Sequence, residues 1–174
     1  MTGLNSIKSP VRVDLVISFF DLTNYVKISN ERSELELFEL LSGFYELAGE
    51  TIEAAGGKVI KFTGDAGLAV FPEDKADSGI LALMELKKKA EAFFAKRNAA
   101  TRLIVKIHFG AAAFGPIGTR GEKRPDVIGE AVNTAATLAS KGFAISPQAF
   151  RKLSAENRKR FRKHTPPIVY ILSD

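Results

Sequence analysis

Apolar residues along this chain switch between strand-like runs and helix-like stripes, and the order of the switches predicts the fold. Residues 11–20, VRVDLVISFF, are rich in β-branched residues and phenylalanine, at a length that suits a buried strand. Ser33 opens a capping box with Glu36 at the third helical position. Behind it Leu35, Leu37, Phe38, Leu40, Leu41, Phe44, Leu47, Ala48 and Ile52 recur at helical spacing, and Gly56-Gly57 stops the helix. The stretch KVIKFTGDAGLAVF, 58–71, reads as strand, turn, strand. Pro72, Glu73 and Asp74 open a second long helix, striped by Ile80, Leu83, Met84, Leu86, Ala90, Phe93 and Phe94 and ending at Lys96-Arg97. Residues 101–114 form a fourth strand, 115–129 a glycine-rich loop, and 130–142 a small-residue helix capped by Gly142. A short strand at 143–145, helix starts at Ser146-Pro147 and Ser154, and a closing strand at 168–172 complete the chain.

The order β-α-β-β-α-β predicts an α+β fold, a ferredoxin-like βαββαβ core with C-terminal additions. Residues 1–174 are expected to form a single domain, with a core at about 11–145 and a basic extension at 146–174. In this topology the third strand lies beside the first, and the hairpin before it turns at the edge where the first strand ends. Asp21 and Asp65, 44 residues apart, are therefore expected side by side at one rim of the sheet.

Composition narrows the chemistry. With no cysteine and only His108 and His164, disulfides, thiolate metal sites and a His-rich zinc site are ruled against. No run is long and apolar enough to span a membrane, and the start lacks a signal-peptide pattern, so a cytoplasmic location is expected. The net charge of +5 comes wholly from residues 151–174, which hold 7 Lys+Arg against 2 Asp+Glu. A solvated helix face is the favoured reading of that cluster, nucleic acid the other. The aromatic strand pattern of RNA-binding sheets is missing, which argues against RNA.

Two neighbouring carboxylates either raise one pKa or hold a cation between them. Hard oxygen donors at strand ends suit Mg²⁺ or Mn²⁺, which keep several waters and bind substrate phosphates. The segment LTNYV after Asp21 (Leu22, Thr23, Asn24, Tyr25, Val26) would turn backbone N–H groups toward such phosphates. Each aspartate alone also reads as a turn residue or cap. Lys61, inside an apolar strand, is either a solvated or acid-paired side chain or a donor to a base or phosphate. Asn133 is either a satisfied polar residue or a ligand contact. From the residues alone, a site for a metal-bound nucleotide is the furthest point reached.

Three blocks together resemble the class III nucleotidyl cyclase catalytic domain, the adenylate/guanylate cyclase family. SFFDLTNYVKIS is similar to the family's first metal block, usually Phe-x-Asp-Ile-x-Gly-Phe-Thr. GGKVIKFTGDAGLAVFP is similar to its Gly-Gly-x-x-x-Lys-x-x-Gly-Asp hairpin, and IHFGAAAFGPIGTRGEKRPDVIGEAVNTAATLAS to its glycine-rich strand, loop and Asp-x-x-Gly-x-x-Val-Asn. They span residues 18–140 in family order and spacing. The resemblance implies that a nucleoside triphosphate is converted to a cyclic nucleotide and pyrophosphate with two metal ions, Mg²⁺ or Mn²⁺. It makes Asp21 and Asp65 metal ligands, with the Leu22 carbonyl a third. Lys61 and Asp126 match the base-reading positions, where a lysine donor and aspartate acceptor suit adenine N1 and N6, so ATP is the implied substrate. Asn133 matches the ribose-orienting residue. The family's sites lie across a two-fold dimer, and one chain carries all of these residues, which implies a homodimer with two equivalent sites.

The match departs from the family at several places. Thr137 stands where an arginine stabilises the transition-state phosphate, and a neutral threonine does not replace a guanidinium. Asn24 stands at the glycine of the phosphate turn, where Asn is the next most tolerant residue of left-handed backbone. Val26 replaces threonine. Ile104 takes a place where a phosphate-binding arginine is common, with Arg102 and Lys106 flanking it on the same strand face. Lys163 is the nearest stand-in for a lysine before the last strand. Two readings stay open: an adenylate cyclase with another basic residue supplying the missing charge, which is favoured, and a degenerate cyclase homology domain that binds nucleotide or a partner without turnover. A complementary second chain carrying the arginine is the alternative to a homodimer. No sensor domain precedes the first strand, so an excised catalytic fragment or a small stand-alone protein is expected.

Overall fold

The computed structural model describes residues 4–173; the first three residues and the last, part of the expected 1–174 domain and its start, lie outside the described residues. In chain order the elements are a 3-10 turn (Leu4–Ser6), β1 (Val11–Leu22), α1 (Tyr25–Asn30), α2 (Glu34–Ala54), β2 (Lys58–Thr63), β3 (Ala66–Pro72), a 3-10 turn (Glu73–Lys75), α3 (Ala76–Ala95), β4 (Leu103–Gly118), β5 (Lys123–Ile128), α4 (Glu130–Thr137), β6 (Phe143–Ile145), α5 (Pro147–Arg151), α6 (Ala155–Arg158), β7 (Phe161–His164) and β8 (Val169–Leu172). One sheet holds all the strands, in the order β2-β3-β1-β4-β6-β8-β7, with β5 paired to β4. Its first four members, β2-β3-β1-β4, are the antiparallel ferredoxin-like core, and β6, β7 and β8 are the C-terminal additions.

The local signals explain the main helices. Ser33 Oγ accepts from the Glu36 N–H at 3.4 Å and the Glu36 carboxylate accepts from the Ser33 N–H at 2.9 Å, so α2 starts with a complete capping box. Phe44, Ala48 and Ile52 bury its stripe against the sheet, and Ile80, Leu83, Leu86, Ala90 and Phe94 bury that of α3. These helices cover the face bearing Val16, Phe20, Ala69, Phe71, Val105 and Ile107. The other face carries Leu15, Ile17, Leu68, Val70, Ala112 and Phe114, covered by Ala131 and Ala135 of α4 and Val127 of β5. By strand alternation Asp21, Ile104 and Lys106 belong to this second face.

Four expectations need correction. The glycine-rich loop 115–129 is largely a hairpin: β4 runs on to Gly118 and β5 returns antiparallel, pairing Gly115 with Asp126 and Gly118 with Lys123. The loop reading failed because its glycines and prolines sit in paired strands, leaving only 119–122 as the turn. The small-residue helix ends at Thr137, with Leu138 as C-cap already extended at φ −57°, ψ 130°, rather than reaching Gly142. A 3-10 turn occupies Glu73–Lys75, and α3 begins only at Ala76. Finally, FRKH lies in the basic cluster favoured as a solvated helix face, but it is β7, because its backbone pairs with β8 in the register Phe161 to Leu172.

One glycine fixes how the end of β1 meets the next hairpin. A Cβ on Gly67 would lie 2.3 Å from the Phe20 ring, so only glycine lets that ring lie flat over β3. Phe20 also meets Phe44 and Phe62 edge-on, with ring centroids 6.3 and 6.2 Å away. Gly67→Ala is expected to destabilise the fold by about 1–3 kcal/mol through overpacking, measured as a lowered urea midpoint at unchanged m value.

Candidate active site

β1 and β3 run antiparallel with Phe19 opposite Leu68 and Phe20 opposite Gly67, which brings Asp21 to the hairpin turn that carries Asp65. Burial pushes the Asp65 carboxyl above the ordinary carboxylate range, and the Asp21 charge pushes it further. Hydrogen bonds from its own backbone N–H and that of Leu22 pull the other way. Asp21 is raised too, first by loss of water against the cleft and with partial relief from the Lys106 ammonium. Asp21 is exposed, yet it lines a cleft of about 110 Å³ with Lys106 and an apolar wall of Phe19, Phe20, Ala66, Ile104 and Ala136 that strips part of its water. Among the described residues neither carboxylate is held in a salt bridge.

After Asp21 the chain turns through Thr23 and Asn24. Asn24 has φ 59° and ψ 20°, the left-handed conformation that asparagine tolerates. Thr23 is held to the start of β4: its N–H donates to Arg102 O at 2.9 Å, its hydroxyl accepts from the Arg102 N–H at 2.9 Å, and its carbonyl accepts from Thr101 Oγ1 at 2.5 Å. Tyr25 is half-buried and Val26 exposed.

Lys61 reaches the second face through a β-bulge. Val59 pairs with Ala69, but Lys61 pairs with Leu68, leaving Ile60 as the extra residue. Simple alternation would have turned Lys61 toward α2; the bulge re-aims it. Its Nζ donates to Asp126 Oδ2 on β5 at 2.6 Å, and Asp126 Oδ1 accepts from the Val127 N–H at 2.8 Å.

Asn133 and Thr137 are exposed, one turn apart on α4, and the Thr137 hydroxyl donates to the Asn133 carbonyl at 2.9 Å. Lys106 Nζ donates to the Ala136 carbonyl at 3.1 Å, at the end of the same helix. Lys163 is not brought to these residues within its own chain: it is exposed on β7, with β4, β6 and β8 between it and β1.

Tyr45 was not singled out by sequence, since on α2 it reads as one more ring of the stripe. Its hydroxyl donates to the Gly64 carbonyl at 2.5 Å, and its ring stacks on Phe62 at 3.8 Å and 4°. It thus clamps the turn that presents Asp65.

The donor set fits a hard divalent cation: two oxygen ligands, no soft donor beside them, and a mutual repulsion that a cation would relieve. Among the described residues no cluster of three or more His, Cys, Asp or Glu is poised to hold a metal. Remaining ligands would be backbone, water and phosphate, as Mg²⁺ prefers.

A family model described as the adenylate and guanylate cyclase catalytic domain matches residues 8–164. The chain belongs to that family. An adenylate cyclase of Anabaena cylindrica is 27% identical over 132 residues, covering 71% of this chain and 26% of that protein. The chain thus spans only about a fifth to a quarter of the first curated relatives it matches. The adenylyl cyclase CyaB from P. aeruginosa shares the fold at TM-score 0.83 and 18% identity, covering 95% of this chain and 96% of the other. A dimeric guanylyl cyclase domain of the RhoGC fusion protein from Blastocladiella emersonii does so at TM-score 0.77 and 16% identity, covering 94% and 97%. Fold likeness therefore extends to cyclase domains of both base preferences. No helix among the described residues is long and apolar enough to cross a membrane.

A carboxyl raised in the fold binds its proton more tightly than in the unfolded chain. The cyclase domain without metal is therefore favoured below the unfolded carboxylate pKa and loses that contribution as pH rises through the raised values. Asp65→Asn is expected to raise the neutral-pH melting temperature in chelator. Mn²⁺ should stabilise the unmutated protein, by about 2.7 kcal/mol at roughly 100 times Kd, and leave Asp65→Asn unmoved; equal stabilisation of both would count against a metal at this pair.

Proposed function

We propose that this cyclase domain converts ATP to cyclic AMP and pyrophosphate with two divalent ions, at an interface between two copies of itself. The observation that carries the reading is the convergence of Asp21 and Asp65, each partly desolvated and, among the described residues, outside any salt bridge, on one end of the sheet. Bound Mg²⁺ or Mn²⁺ would supply activation of the ribose 3′-hydroxyl and screening of the triphosphate charge. The chain's part is to hold and orient. Asp21, Asp65 and the Leu22 carbonyl are the metal donors, and the turn Thr23–Val26 borders the phosphates. Lys61 keeps N–H groups beyond the one given to Asp126, enough to donate to adenine N1, and Asp126 accepts from N6. Asn133 orients the ribose. Lys163, remote in its own chain, would serve the partner's site. Exposed Ile117 and Ile128 on the β4–β5 hairpin, at 49% and 56%, favour a homodimer, as does the exposure of Asn133. Residues 11–145 would act as the catalytic core of a single domain, with 146–174 extending its sheet.

Thr137 favours a second reading. It is neutral, and its hydroxyl is engaged with its own helix, so position 137 offers no cation to a transition-state phosphate. A domain that binds nucleotide without turnover, or that pairs with a complementary chain, fits that observation.

Purified protein with Mn²⁺ and ATP is expected to form cyclic AMP, and Asp65→Ala to abolish it. Outer-shell partners of metal ligands alone are worth about 10–100-fold, so loss of the ligand should exceed that. Saturable nucleotide binding with no product from any triphosphate would establish the second reading. Lys61→Glu should lower kcat/KM for ATP and shift the ATP-to-GTP ratio, whereas Asn133→Ala should lower rate without changing that ratio; the reverse pattern would refute the assignment of the two roles.

A further inference from the structure

Directly opposite Asp21 on β4 stands Ile104, an apolar residue, so any positive charge near that carboxylate must come from a diagonal neighbour. Lys106, paired with Phe19, is that neighbour. It lines the same cleft as Asp21 and Ala66, and its charge acts on Asp21. Among the described residues its Nζ makes one hydrogen bond to protein, to the Ala136 carbonyl at 3.1 Å. An ammonium has three N–H donors, so two remain for whatever enters the cleft. The side chain is half-buried, and among the described residues it sits in no salt bridge. The other flanking cation, Arg102, is exposed, and its backbone is tied to Thr23 at the outer end of the strand.

We propose that Lys106 is a phosphate contact supplied by the same chain as Asp21 and Asp65, with the Ala136 carbonyl fixing its ammonium at the cleft. The inference rests on the nucleotide reading of the site. It assigns the missing cation to the strand under α4 rather than to α4 itself, where Thr137 is neutral. Its structural rival is a lysine that merely caps the last carbonyls of α4. The two differ in what they do to ligands: a phosphate contact discriminates by phosphate, and a helix cap does not.

The test is equilibrium binding to the full chain in Mn²⁺, with ATP, adenosine and inorganic tripolyphosphate as probes. Lys106→Met should weaken ATP and tripolyphosphate by about 10–100-fold, the range of a charge-assisted hydrogen bond, and leave adenosine unchanged. Lys106→Arg should restore most of the loss. Lys106→Gln, which keeps a donor for Ala136 without the charge, should behave like Lys106→Met and guards against a folding defect, checked by thermal unfolding. Unchanged ATP binding in both neutral variants overturns the proposal, as does an equal loss for adenosine and ATP. Absence of nucleotide binding in the unmutated chain overturns the nucleotide reading itself, and this inference with it.

Discussion

Antiparallel pairing of β1 with β3 forces two like charges together. The register that sets Phe20 opposite Gly67 leaves Asp21 and the Asp65 turn nowhere to go but the same rim, where each loses water and Asp65 feels the charge of Asp21. A fold selected for stability alone would separate such a pair or set a basic residue between them. Here Lys106 relieves Asp21 only in part, and the surrounding packing holds the pair in place. Glycine at 67 lets the Phe20 ring close over β3, and the Tyr45 hydroxyl fixes the Gly64 carbonyl, so the repulsion is held rather than relaxed. That arrangement makes sense when a cation completes it.

From this rim the remaining chemistry spreads over one face of the sheet. α2 and α3 fill the other face with apolar side chains, among which Ser18 is the buried polar exception on β1. The α4 face is thinner: its helix is short, and its covering residues are alanines and one valine. Small side chains keep α4 low on the sheet, so that Ala136 lies within reach of Lys106 and beside Asp21. The β4–β5 hairpin brings Asp126 over the same face to meet Lys61. Asp21 with Lys106, and the Lys61–Asp126 pair, thus share this face because one surface was left to them.

The sequence made the core topology legible because its signals are local and redundant. The Ser33 capping box, the Gly56-Gly57 stop and the Gly64-Asp65 turn each specify one boundary, and together they leave a single common order. The adjacency of Asp21 and Asp65 followed from that order. What stayed hidden depends on pairing at a distance. The bulge at Ile60 inverts the facing of Lys61, and no local signal marks it; alternation read naively would point the side chain at α2. The hairpin in 115–128 was masked by glycine and proline, which read as loop but are tolerated where β4 and β5 pair. β7 has one apolar residue, the buried Phe161, before the exposed Arg162, Lys163 and His164, and it becomes a strand by pairing with β8. Tyr45 is indistinguishable in sequence from a packing residue, and its hydroxyl bond to Gly64 spans 19 positions.

The base question turns on orientation as well as on residue type. Lys61 and Asp126 are already paired within one chain, so under the proposed base-reading role a nucleotide would meet them as a unit, one donor end and one acceptor end. Adenine offers an acceptor at N1 and a donor at N6; guanine offers a donor at N1 and an acceptor at O6. The same ion pair serves either base if its two ends exchange places. Discrimination therefore requires that the pair not rotate. Asp126 is pinned by the Val127 N–H on its second oxygen, and Lys61 is fixed in direction by the bulge. The bulge is a backbone feature, which a substitution of either side chain leaves in place, whereas the bond to Val127 goes with the Asp126 carboxylate. A switch of specificity in this domain would thus require a change in the bulge or the hairpin register as much as in the two side chains themselves.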